Sequence, residues 1–82
     1  MARDVVGKVA QVAPRGELLV QAPRMVPPGT RLVDARRERV GKVVDVIGPV
    51  ARPYLVVALP RGRDRGPPPN PLRLLGKELY RE

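Results

Sequence analysis

Few side chains in this sequence have the chemistry that catalysis usually requires. Cysteine, histidine and serine are absent, which removes the commonest nucleophiles and the usual general base. Thr30 is the only aliphatic hydroxyl, and it falls in a predicted turn with no base close to it in sequence. The carboxylates are scattered, and most alternate with basic residues as on a solvated strand face: Asp4, Glu17, Asp34, Glu38, Asp45, Asp64, Glu78 and Glu82. The sequence therefore predicts a protein that is not an enzyme and that holds no metal or cofactor.

The net charge of +8 favours association with polyanions, of which RNA is the most abundant in a cell. Two arginine clusters, at residues 36–39 and 61–66, are candidates for contacts with RNA phosphates. Their candidate residues are Arg36, Arg37, Arg39, Arg61, Arg63 and Arg65. Each cluster also contains a carboxylate, so both can equally be solvated turns. Only Tyr54 and Tyr80 are aromatic, which argues against a single-strand binder that stacks bases on aromatic rings.

The length of 82 residues leaves room for a single domain with a small core. No apolar stretch is long enough for a signal peptide or a membrane span, which predicts a soluble, cytoplasmic protein. The eleven prolines and the scarcity of amide side chains are typical of thermophile proteins. A GC-rich genome produces a similar composition.

Short valine-rich segments between prolines and glycines predict strands and not helices. The predicted strands cover residues 5–12, 17–21, 31–34, 39–47, 54–59 and 75–80. A type II turn is predicted at residues 27–30, with Gly29 supplying the positive φ angle. Residues 61–71 form a predicted loop rich in proline, glycine and arginine, and residues 72–75 allow at most one helical turn. Six short strands favour a closed six-stranded all-β barrel over residues 1–82, with a two-sheet sandwich as the alternative.

A faint internal repeat links the two longest predicted strands. The segment GKVAQV at residues 7–12 matches GKVVDV at residues 41–46, and residues 76–79 (GKEL) resemble both, although a valine-rich sequence can produce such matches by chance. With side chains alternating between faces, the repeat predicts one inward-facing set: Val6, Ala10, Val12, Val40, Val44 and Val46. Lys8 and Lys42 share that face and are expected at a barrel rim. Val43 and Ile47 are expected on the outer face, where a partner protein would cover them.

Residues 40–54, VGKVVDVIGPVARPY, resemble the archaeal-type Gar-family subunit of H/ACA small ribonucleoproteins. That family has a glycine-opened strand ending in Asp-Val-(Phe/Ile)-Gly-Pro-Val, then two variable residues, Pro-Tyr and a valine-rich strand. Pro28-Gly29-Thr30, Val33-Asp34 and the closing residues 76–80 fit the same pattern. The resemblance extends from about Val6 to Tyr80.

The resemblance implies a six-stranded barrel like the second domain of translation elongation factors. It also implies a non-catalytic subunit that binds the catalytic domain of a pseudouridine synthase, away from the guide RNA. There the subunit would support substrate placement and turnover during pseudouridylation of rRNA or tRNA. The eukaryotic members carry long Gly-Arg-rich tails, which this sequence lacks, so any contact with the RNA of the complex is expected to be weak or indirect.

Prolines and exposed aliphatic residues around one loop define the candidate partner-binding site. Gly48-Pro49 and Pro53 enclose a short segment whose conformation costs little entropy to fix. The predicted partner-binding residues are Val43, Ile47, Gly48, Pro49, Val50, Pro53 and Tyr54. The alternative is that Val50 and Tyr54 belong to the core and that the prolines only end strands. The competing function is direct RNA binding, as by a small ribosomal or ribosome-maturation protein, and that function predicts a strong dependence of RNA affinity on salt.

Overall fold

A computed structural model describes residues 5–59 and 71–82 and contains six strands and one short 3-10 helix. The strands are β1 (Val5–Val12), β2 (Leu18–Gln21), β3 (Arg31–Val33), β4 (Arg39–Ile47), β5 (Tyr54–Ala58) and β6 (Glu78–Arg81). The 3-10 helix, Pro71–Leu74, precedes the last strand. Five of the predicted strands agree with these bounds to within one residue. The sixth begins three residues later than predicted, because the helix and a turn take up residues 71–77.

The strands form a closed antiparallel barrel in the order β1-β2-β5-β4-β3-β6. The predicted six-stranded barrel is therefore confirmed. Closure gives every strand two hydrogen-bonded neighbours, which leaves no free sheet edge in the barrel. Within residues 5–59 and 71–82, the core cluster is aliphatic and contains no aromatic ring. Its buried residues are Val6, Val9, Leu18, Val20, Ala22, Val26, Leu32, Val40, Val43, Leu55, Val57, Leu74 and Leu79. No helix in the described ranges has the length and apolarity to cross a membrane.

The predicted faces of β1 and β4 are only partly right. Val6 and Val40 are buried, and Val12 and Val46 are half-buried against the core. Ala10 and Val44, however, are exposed, and Val9 and Val43 take the predicted inward places. Lys8 and Lys42 are also exposed and do not share the core face.

Two β-bulges in each strand explain these errors. In β4 the pairing with β3 shifts between Arg39 and Gly41, and the pairing with β5 shifts between Val43 and Asp45. A bulge inserts an unpaired residue and reverses which face the following side chains occupy. Buried or half-buried valines therefore recur every three residues, at 40, 43 and 46. The second bulge in β4 also contains a local hydrogen bond of 2.8 Å from the Val46 N–H to the Asp45 Oδ1 atom.

The internal repeat corresponds to a structural repeat. The bulges of β1 lie at Val5/Gly7 and Val9/Gln11, 34 positions before those of β4, and the first eight residues of the two strands have the same burial pattern. β1 lies between β6 and β2 as β4 lies between β3 and β5. The barrel thus consists of two related three-stranded units, β6-β1-β2 and β3-β4-β5.

The turns before β3 and β6 also correspond to each other in the two three-stranded units. Gly29 donates its N–H to the Val43 carbonyl oxygen at 2.7 Å, and Gly76 donates to the Val9 carbonyl oxygen at 2.9 Å. Both glycines have positive φ angles, of 96° and 78°. Gly76 is thus the counterpart of Gly29 and not of Gly7 or Gly41, so the third sequence match does not belong to the repeat. The Thr30 N–H donates to the Pro27 carbonyl oxygen, which together with the φ of Gly29 confirms the predicted type II turn.

Candidate functional site

The predicted partner-binding residues surround the connection between β4 and β5, which we call the β4–β5 loop (residues 48–53). Gly48 opens the loop with a φ of 88°, and the Arg52 N–H donates to the Pro49 carbonyl oxygen at 3.1 Å. Pro53 closes the loop, and its carbonyl oxygen accepts a hydrogen bond of 3.1 Å from the Ala22 N–H. The loop is therefore held by a turn of its own and by a link to the end of β2.

The loop and the strand before it present aliphatic side chains to solvent. Val50 is 78% exposed, Ile47 is 44% exposed and Val44, at the β4 bulge, is 42% exposed. Single exposed aliphatic residues are ordinary on protein surfaces. Three within seven residues, on a strand end and a preorganised loop, form an apolar surface that is typical of a protein contact.

Two of the predicted contact residues cannot contribute to this surface. Val43 has no exposed area and packs in the barrel core, because the first β4 bulge, between Arg39 and Gly41, shifts the alternation so that Val43 faces inwards and Val44 outwards. Pro53 is also fully buried. Val43 and Pro53 are therefore part of the barrel interior, whereas Ile47, Gly48, Pro49 and Val50 are exposed.

Tyr54 connects the loop to the barrel. It is the cross-strand partner of Ile47 and is half-buried. A side-chain carbon at Gly48 would lie 3.6 Å from the Tyr54 Cδ2 atom, so the ring packs closely beside the glycine backbone. Tyrosine commonly anchors interfaces because its ring offers a large, rigid contact area with a polar end. The exposed side of Tyr54 thus extends the apolar surface of Ile47 and Val50.

The first arginine cluster lies on the turn between β3 and β4. Arg36, Arg37 and Arg39 are all exposed. The Arg39 Nε atom lies 3.5 Å from a Glu82 carboxylate oxygen, and both side chains are substantially solvated, so this ion pair adds little to stability. The other candidates for phosphate contacts, Arg61, Arg63 and Arg65, lie outside the described residues.

Two of the side chains considered for catalysis, those of Thr30 and Asp34, stabilise turns through hydrogen bonds. The Thr30 hydroxyl donates to the Pro27 carbonyl oxygen at 2.8 Å, within the type II turn. An Asp34 carboxylate oxygen accepts hydrogen bonds from the N–H groups of Arg36 and Glu38, at 2.8 and 2.9 Å, and so holds the β3–β4 turn. Within residues 5–59 and 71–82, no three carboxylates come together as a cation site.

The sequence did not predict a groove that lies between the segment joining β2 to β3 and the strands β1 and β6. Its lining residues are Val5, Val6, Pro23, Arg24, Met25, Val26, Pro27 and Arg81, and its volume is about 420 Å³. The groove unites side chains from opposite ends of the sequence, because β1 and β6 are neighbours in the barrel. The one local signal was Met25, an apolar residue that directly follows Arg24 and is 58% exposed.

Comparison with known proteins identifies an archaeal relative. An uncharacterized protein of Methanocaldococcus jannaschii is 35% identical over 57 residues, which cover 70% of this chain and 68% of the relative. The chain belongs to the family of this archaeal protein. No protein-family model matches the sequence. The family thus contains an archaeal protein, but membership in it does not assign an activity or a partner to this chain.

Proposed function

We propose that this protein is a non-catalytic accessory subunit of an archaeal H/ACA ribonucleoprotein. In this proposal it acts in the cytoplasm and binds the catalytic domain of the pseudouridine synthase subunit. Through that contact it supports the placement and turnover of substrate RNA. The resemblance of residues 40–54 to the Gar family suggests the partner, and the archaeal relative is compatible with an archaeal complex.

The observation that carries the proposal is the exposed apolar surface of the β4–β5 loop. Ile47 and Val50 present aliphatic area to solvent, and Tyr54 lies beside them as a possible anchor. The loop is already held by hydrogen bonds at Pro49 and Pro53, so a partner would pay little conformational entropy to bind it. A rigid apolar protrusion suits a protein partner better than a phosphate backbone.

Charge distribution supports a protein contact at this loop. Arg52 is the only basic residue among residues 43–59, whereas Arg36, Arg37 and Arg39 cluster at the opposite end of β4. A phosphate contact through that cluster would therefore use the β3–β4 turn and leave the apolar loop to the synthase. If RNA binding were the main function, the loss of those arginines would matter more than the loss of Ile47.

The test is Ile47→Glu, measured for both folding and binding to a purified pseudouridine synthase subunit. Loss of a central apolar anchor costs about 2–4 kcal/mol of binding, or roughly 30- to 1000-fold in affinity. Burial of an unpaired carboxylate places this variant towards the upper end of that range. Since Ile47 is 44% exposed, we expect the thermal unfolding midpoint to stay close to that of the wild type.

Leu75→Glu is the matched control. Leu75 is 45% exposed, as Ile47 is, but it lies in the turn before β6, beside β1. The control should bind the synthase as the wild type does. Val50→Glu provides a second variant at the loop, because a residue that is 78% exposed is not needed for folding. Wild-type affinity in well-folded Ile47→Glu and Val50→Glu variants would rule out this surface, and failure of the wild-type protein to bind the synthase would rule out the proposed function.

A further inference from the structure

The groove beside the β2–β3 connection is lined by apolar side chains and two arginines. Val6 and Val26 are buried at its base, and Met25, which is 58% exposed, and Val5 line its opening. Arg24 comes from the connection and Arg81 from β6, so two different elements each contribute one arginine to the lining. Among residues 5–59 and 71–82, none of those that line the groove is acidic.

Both arginines remain available to a ligand. Glu82 directly follows Arg81 in the sequence, but its carboxylate lies 3.5 Å from the Arg39 Nε atom and 3.9 Å from the Arg31 Nη1 atom. It is therefore engaged on the β3–β4 side. Within residues 5–59 and 71–82, neither Arg24 nor Arg81 forms an ion pair. Two arginines without ion-pair partners in the described ranges, beside exposed apolar side chains, match a ligand that is both anionic and apolar.

We propose that this groove binds an acidic, apolar peptide segment of a partner protein. Guanidinium groups match carboxylates in bidentate geometry, and methionine and valine accept aliphatic side chains, methionine with particular adaptability. No aromatic side chain of the described part of the chain lines the groove, so these residues lack the stacking surface that a nucleobase would require. Pro23 and Pro27 stiffen one wall, which lowers the entropy cost of binding.

The proposal does not depend on what binds the β4–β5 loop. The two surfaces are close, since the N–H of Ala22, directly before the groove wall, donates to the Pro53 carbonyl oxygen. They differ in chemistry, because the loop presents aliphatic side chains whereas the groove adds two arginines. A single large partner can use both surfaces, and two partners can use one each.

The test measures fluorescence anisotropy of labelled ten-residue peptides with the full-length protein at 0.15 M salt, where exposed charges more than ~8 Å apart are largely screened. The probe alternates glutamate and leucine. Glutamine–leucine and glutamate–serine peptides of equal length test the need for charge and for apolar side chains. We expect the glutamate–leucine peptide to bind at least about tenfold more tightly than either control, since one charge-assisted hydrogen bond is worth on the order of tenfold in affinity.

Variants separate groove binding from the attraction of any anion to a protein of net charge +8. The double variant Arg24→Glu/Arg81→Glu should weaken glutamate–leucine binding by at least tenfold. The control Arg15→Glu/Arg73→Glu carries the same net charge with both substitutions on exposed residues outside the groove, and it should bind as the wild type does. Met25→Ser tests the apolar contribution and should weaken binding several-fold.

Two outcomes would overturn the proposal. Equal losses in the two double variants would mean that the peptide senses only overall charge. A single-stranded RNA oligonucleotide that loses affinity through Arg24 and Arg81, while the peptide does not, would assign the groove to nucleic acid. Unfolding midpoints of all variants should be measured beside the affinities, because a loss of binding counts only in a folded protein.

Discussion

Gly41 lies where two backbones approach too closely for any side chain, and Gly41→Ala tests the packing of the barrel. A Cβ atom at this position would overlap the Ala58 carbonyl oxygen and lie 3.0 Å from the Val57 Cγ1 atom. β5 cannot move away easily, since Leu55 and Val57 are completely buried on its inner face. The φ of Gly41 is not in the left-handed region, so alanine would suffer no backbone strain and the effect would be steric.

The magnitude follows from the cost of overpacking. Forced overlap in a packed interior costs about 1–3 kcal/mol, and a clash with backbone belongs at the upper end. A protein of this size has roughly 4–12 kcal/mol of total stability at about 0.05–0.15 kcal/mol per residue. A loss of about 3 kcal/mol therefore removes a quarter or more of it, and the unfolding midpoint should fall by roughly 12–24 °C.

The assay is calorimetric or denaturant unfolding of three variants. Gly7→Ala should behave like Gly41→Ala, because a Cβ there would lie 2.5 Å from the Gln21 carbonyl oxygen and 2.8 Å from the Val20 Cγ1 atom. The control is Gly16→Ala, where nothing lies within 4 Å of the added carbon but φ is +89°, so only a left-handed penalty of about 1–2 kcal/mol applies. Should Gly41→Ala prove less destabilising than Gly16→Ala, the close approach of β4 and β5 would be refuted. Unequal losses at Gly7 and Gly41 would refute the equivalence of the two units.

Two further predictions concern the conformation of the β3–β4 turn and the affinity of the protein for RNA. Arg37 has a φ of 64°, so Arg37→Gly should raise the free energy of unfolding by about 0.5–1 kcal/mol in urea titrations, and a decrease would show that the arginine side chain stabilises the turn. The isolated protein should bind RNA weakly and without sequence preference, in the ~10⁻⁴–10⁻⁶ M range typical of non-specific electrostatic binding at physiological salt. Nanomolar, sequence-selective binding in a filter or anisotropy assay would favour a direct RNA binder over the accessory subunit.

The repeat explains why a short chain without disulfides can close a barrel. Each unit places a glycine where its central strand crosses a neighbour, at Gly7 and Gly41, and two bulges then bend that strand. Bulges increase local twist and curvature, which a small closed sheet requires. The same device used twice closes the sheet around an aliphatic core.

The bounds of the first five strands, the type II turn and the closed architecture followed from the sequence, because they depend largely on local chemistry. β1 and β4 were predicted to the residue, since charged residues precede each strand, proline or glycine follows it and valine dominates between them. The type II turn before β3 was predicted from Pro28 and Gly29, whose allowed φ angles leave few alternatives. The exposed part of the β4–β5 loop could also be predicted from the sequence, because Gly48-Pro49 interrupts an aliphatic run.

The faces of β1 and β4, and the composition of the groove, depended on tertiary structure. Strict alternation misassigned Ala10, Val43 and Val44, because a bulge arises from the register between two strands and leaves no distinct residue type behind it. Arg24 and Arg81 line the same groove only because barrel closure brings the last strand beside the first. Pairing partners are set by loop closure and core packing over the whole chain, and these are properties that no local segment encodes alone.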